Sequence, residues 1–108
     1  MNYLHTKEAK ELYKALLSLK DEKEAAKFLG DLLTPAEIKE FANRWKVVQM
    51  LNAKVPYEKI TKETSMSSTT IARIAKWMNG KLGGYKLMLE RMKKQTRVAQ
   101  HHSPFLAA

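Results

Sequence analysis

Between Ser67 and Lys76 the sequence reads SSTTIARIAK, with Ser68, Thr69, Ala72, Arg73 and Lys76 along one side of a helical pattern. Short hydroxyl side chains donate to or accept from several base edges, and an exposed methyl meets a thymine methyl. An arginine or lysine one turn further on reaches phosphates or a guanine edge. The other reactive side chains offer less. His5, His101 and His102 are the only histidines, all near the chain ends, and adjacent histidines in a tail seldom give defined metal geometry. There is no cysteine, so disulfides and thiolate sites are excluded. The carboxylates alternate with lysines at spacings where solvated i,i+4 pairing is the ordinary explanation. Neither a phosphate-binding glycine loop nor a nucleophile motif occurs. These patterns argue against an enzyme and call for no cofactor and no metal.

Presenting such a face to a groove takes a particular pair of helices. Residues 56–79 supply it. A short helix is expected from about Pro56 to Thr64, with Ile60 as its apolar anchor. Ser65-Met66-Ser67 breaks it, with serine where many such turns carry glycine. Ser67 then caps a second helix, whose Ile71, Ile74, Ala75 and Met78 follow i, i+3, i+4, i+7 and so share one apolar side. This is helix-turn-helix grammar: a positioning helix, a tight turn, and a recognition helix with small polar residues at its exposed N-terminal end. Tyr57 and Thr61 on the first helix, with Ser67 and Thr70 at the start of the second, complete the candidate DNA-contacting set. An ordinary helical hairpin with a solvated Ser/Thr face is the alternative.

Charge follows the same division. The net charge of the 108 residues is +9. Residues 1–55 carry ten Lys/Arg against eight Asp/Glu, whereas residues 56–108 carry ten against three. The excess therefore falls on the half with the helix-turn-helix, as a polyanion-binding surface requires. No apolar run approaches a membrane span and nothing resembles a signal peptide. A cytoplasmic, nucleoid-associated protein without a membrane partner is the expectation.

The rest of the chain reads as helices. Thr6 caps one to about Leu19, with Leu12, Leu16 and Leu19 on a stripe. Asp21 and Glu24 are spaced as a capping box for a short second helix with Phe28 and Leu29, expected to end at Gly30 as its C′ residue. Thr34-Pro35-Ala36-Glu37 is a full start signal, cap, proline and box. The helix it opens reaches about Asn52. Its apolar residues (Ile38, Phe41, Ala42, Trp45, Val48, Met50, Leu51) cover more than one side, which calls for a central position or a second chain. Gly80, Gly83 and Gly84 mark a loop before a last helix from about Tyr85 to Val98. That helix mixes Leu87, Met88, Leu89 and Met92 with Lys86, Arg91, Lys93, Lys94 and Arg97. Trp45 and Trp77 are expected in the core, and residues 100–108 as a disordered tail. The expected architecture is all-α, about six helices in a single domain over residues 1–99.

LLTPAEIKEFANRW and SSTTIARIAKW, over about Leu32 to Lys81, resemble the Trp-repressor superfamily, closest to its branch of Trp-repressor-related proteins of the YerC/YecD type. The Leu-Leu-Thr-Pro-x-Glu start, an arginine seven residues past that glutamate, and Ile-x-Arg in the recognition helix carry the resemblance. It implies an intertwined all-helical homodimer whose two heads enter successive major grooves of double-stranded DNA. In tryptophan-binding members the ligand lies between two arginines, beneath the Leu-Leu-Thr segment, against a glycine. Arg44 and Arg73 stand at the arginine positions, and Leu32, Leu33 and Thr34 at the lining. Ile74 replaces the glycine, and Trp77 stands where the family has a small polar residue. These two side chains would fill the space an indole needs. The resemblance thus implies a repressor without tryptophan as corepressor, its candidate pocket (Leu33, Thr34, Arg44, Arg73, Ile74, Trp77) closed; it names no other effector. Arg44 alternatively reads as a surface or helix-helix salt bridge. A helical protein-protein interaction module explains the helices but not the confined charge. RNA binding lacks an exposed aromatic platform.

Overall fold

The computed structural model describes residues 2–102, with side chains through Gln95. Among the described residues, six α-helices follow a 3-10 turn at Asn2–Leu4: α1 Lys7–Leu17, α2 Glu22–Leu32, α3 Pro35–Asn52, α4 Tyr57–Thr64, α5 Ser68–Met78 and α6 Gly84–His102. No strand occurs among the described residues. The protein is all-α, as its periodicities imply.

Capping side chains set the helix starts. Thr6 Oγ1 accepts from the Ala9 amide at 3.0 Å, and Asp21 Oδ1 from the Glu24 amide at 2.8 Å. The Glu24 carboxylate returns to the Lys20 amide at 3.0 Å. At α3 the box closes in full. The Glu37 amide donates to Thr34 Oγ1 at 3.1 Å, and the Thr34 amide to Glu37 Oε1 at 2.9 Å. These bonds to the Thr34 amide, then to its hydroxyl, hold the Glu37 carboxyl below its ordinary range.

Two helix ends differ from expectation. Gly30 does not terminate α2, which continues to Leu32 and stops at the extended Leu33, φ −115°, ψ 152°. Gly30 has an ordinary negative φ and open space around it. It costs the helix only propensity, about 1 kcal/mol against alanine. Pro35 is the stronger stop, because it disfavours helical backbone at the residue before it. At the other end, α6 runs past Val98 to His102, since neither glycine nor proline interrupts it before Pro104. The expected tail therefore begins inside the helix; its residues 103–108 lie outside the described residues.

The chain divides into two compact units, residues 1–40 and residues 41–108, with the boundary inside α3. Among the described residues of the first unit none is buried. Leu12, Tyr13, Leu16, Leu17, Leu32 and Ile38 all stay exposed, Leu17 by 85%. The second unit has a dry centre of Val47, Val48, Ile60, Ile71 and Ile74, each at 0% exposure. Met50, Leu51, Val55, Met66, Met78, Tyr85 and Leu89 close around it with Trp45. The link from α3 to α4 is a Schellman turn. The Val55 amide bonds the Met50 carbonyl at 3.0 Å and the Lys54 amide the Leu51 carbonyl at 3.0 Å. Lys54 takes the left-handed position at φ 63°, where glycine is usual. Val55 and Met50 then both pack on the core, the apolar contact that accompanies this motif.

Candidate nucleic-acid interface

Helices α4 and α5 are built from the core outward. Ile60 anchors the first, and Ile71 with Ile74 the second. Burying each such side chain contributes about 2 kcal/mol, so these three residues hold the pair together. Thr64, the last residue of α4, is buried at 4% exposure. Its hydroxyl donates to the Ile60 carbonyl at 2.7 Å and accepts from the Met66 amide at 3.3 Å. The turn is thereby wired to the helix it leaves. Ser65 supplies the reversal at φ 60°, ψ 15°, the left-handed conformation that glycine would adopt freely. Met66, half-buried, pins the turn to the core.

Ser67 opens α5 as its N-cap, with Oγ accepting from the Thr70 amide at 3.1 Å. The Thr70 hydroxyl lies 3.0 Å from that same oxygen. Both hydroxyls are thus engaged in forming the helix. The Thr61 hydroxyl is also occupied, donating to the Tyr57 carbonyl at 2.9 Å. Within the expected contact set these three residues position the helices. Ser68, Thr69, Ala72, Arg73 and Lys76 are different: all five are exposed. They lie on the side of α5 opposite its buried stripe of Ile71 and Ile74. Tyr57, 42% exposed, stands at the start of α4. The result is a short polar and cationic face on a helix whose apolar side is wholly fixed.

The side chains expected to fill a ligand space separate into different surroundings. Ile74 is sealed in the core. Trp77, expected in the core, is 45% exposed instead. Three residues past Ile74, it falls on the flank of the buried stripe. The Arg44 guanidinium lies over its ring at 5.9 Å and over the Phe41 ring at 5.5 Å. The Arg44 guanidinium thus covers part of the Trp77 ring, and the rest is open to solvent. Trp45 does join the core, tilted against Tyr85 at 6.5 Å. Arg73 is exposed on α5. In the first unit, Leu33 is the half-buried residue after α2, and the Thr34 hydroxyl is committed to its cap. Sequence reasoning missed the Phe41–Arg44–Trp77 stack. The i,i+3 spacing of Phe41 and Arg44 was its only local signal, and Trp77 joins from another helix.

On the remaining surface α6 exposes Leu87, Met88 and Met92 beside Lys86, Arg91, Lys93 and Lys94. No helix among the described residues is long and apolar enough to cross a membrane. Comparison with known proteins places this geometry. The profile of the Trp repressor protein family matches residues 7–93. A curated Bacillus subtilis (strain 168) protein, the uncharacterized protein YerC, is 38% identical over 91 residues, spanning 84% of this chain and 88% of that one. The crystal structure of a TrpR-like protein from Eubacterium eligens ATCC 27750 superimposes with a TM-score of 0.82 at 35% identity. It covers 86% of this chain and 96% of its own.

Proposed function

The chain belongs to the Trp repressor protein family, and from that premise we propose that it is a sequence-specific, double-stranded DNA-binding repressor acting as a homodimer. The family is regulatory rather than enzymatic. The observation that carries the reading is the exposed Ser68, Thr69, Ala72, Arg73 and Lys76 face, on a helix locked by fully buried Ile71 and Ile74. Short side chains allow close approach to base edges, and the two cations reach guanine or phosphate. Lys93 and Lys94 on α6 add sequence-independent attraction. Residues 1–99 act as one domain once two chains combine, because the apolar side chains of the first unit then find partners. In the cell this is a cytoplasmic, nucleoid-associated regulator.

Tryptophan is not its corepressor. Ile74, fully buried, puts a branched side chain at the position that must be small for an indole. Arg44, at a position that would face the ligand, already lies over the chain's own Trp77 ring. A ligand without differential affinity for two head positions shifts neither. The protein without ligand is then the DNA-competent form. Calorimetric titration of L-tryptophan should give no binding heat; micromolar affinity would overturn this part of the reading.

Selection from a random duplex library, followed by footprinting, tests the central reading. The enriched site should hold two inverted half-sites about 10 base pairs apart. Flat enrichment would remove the claim of specificity and favour the alternative, a helical protein-binding module.

A further inference from the structure

Resting on the DNA-binding reading above, we infer that Arg44 and Trp77 form a clamp that fixes the roll of the recognition helix and so determines sequence specificity. The fully buried side chains of α5, Ile71 and Ile74, lie in one cluster with Val47, Val48 and Ile60, with Trp45 and Tyr85 packed around it. Such contacts fix the buried side of α5, and Trp77 on its flank lies outside them. Trp77 lies three residues past Ile74 and four past Arg73, on the flank between the buried stripe and the exposed polar face. The Arg44 guanidinium stands over the Trp77 ring at 5.9 Å and over the Phe41 ring at 5.5 Å. Both Phe41 and Arg44 belong to α3, which also carries Val47 and Val48. Helix α3 therefore shares the buried cluster with α5 and meets it again at its side through Arg44 and Trp77.

The side grip is directional, because a cation is attracted to the face of a ring and not to its edge. Its leverage is large. A roll of about 10° moves a side-chain tip on a helix of about 5–6 Å radius by about 1 Å. Such a displacement breaks hydrogen bonds from Thr69 or Arg73 to base edges, while the long lysines adapt and keep their phosphates. The clamp therefore acts on specificity more than on total affinity. Trp77 is 45% exposed, so truncating it leaves the core closed.

Two measurements test this on the full chain. Incorporating 5-fluorotryptophan gives one fluorine resonance for each of Trp45 and Trp77, and Trp77→Phe assigns the second by deleting it. Arg44→Leu should shift the Trp77 resonance and leave that of Trp45 in place; an unmoved Trp77 signal overturns the clamp. In the second measurement, affinities are compared on a selected site and on a scrambled duplex. Trp77→Ala should lower their ratio at least tenfold, with scrambled-duplex affinity and helical circular dichroism unchanged within twofold. Trp77→Phe, which keeps a ring face, should restore most of the ratio. An unchanged ratio for Trp77→Ala, or a Phe variant as poor as the Ala variant, overturns the specificity role. A wild-type chain with no preferred site would instead overturn the regulatory reading, and the clamp's specificity role with it.

Discussion

Ser65 holds a left-handed backbone, φ 60°, at the reversal between α4 and α5, which costs a non-glycine residue about 1 kcal/mol. Ser65→Gly should raise stability by about 0.5–1 kcal/mol, read as a higher urea midpoint. A lower midpoint would mean that the serine side chain contributes something its exposure does not reveal. Glu37 provides a second residue-level outcome. Its folded carboxyl is held below the ordinary range by Thr34, so its contribution is fully present above the unfolded value, about 4.3. The contribution is lost as pH falls through the lower folded value. The difference in urea midpoint between wild type and Glu37→Gln should therefore shrink on acidification below pH 5 or so; a difference independent of pH would remove the charge from this cap. Single residues were unevenly legible in the sequence. Caps at Thr6, Asp21, Thr34 and Ser67 were readable because each signal is complete within four residues. Trp77 was not, because its surroundings include Arg44, thirty-three positions away.

The pattern of helices was legible for the same local reason, and its failures are instructive. Gly30 looked like a stop, but glycine ends a helix only where the left-handed conformation is needed, and here Pro35 already supplies the stop. The left-handed Lys54 was hidden because its turn is defined by backbone bonds from Val55 to Met50 and from Lys54 to Leu51, which leave little trace in residue type. The apolar stripe of α5 followed from spacing: Ile71 and Ile74 are both fully buried. Replacing Lys93 and Lys94 on α6 by alanine should weaken binding about equally on every duplex. It should also flatten the salt dependence, by about one unit of slope for each phosphate that is no longer neutralised. Equal weakening at all sequences from a bulky residue at Thr69 would contradict the division of labour between α5 and α6.

For the whole molecule, the first forty residues present the clearest demand. No described residue among them is buried, and Leu17 is 85% exposed. The sequence hinted at this through α3, whose apolar residues exceed one face. Sedimentation equilibrium at micromolar concentration should give twice the chain mass, and a monomer persisting to millimolar concentration would sink the intertwined dimer. The measurement that bears most directly on the central claim compares the wild type with Thr69→Trp, without added tryptophan. Gel-shift affinities are taken on a selected site and on its scrambled counterpart. The wild type should prefer the selected site by about a thousandfold or more. Thr69→Trp should bind both duplexes as weakly as the wild type binds the scrambled one. A variant that keeps the preference would contradict readout through α5.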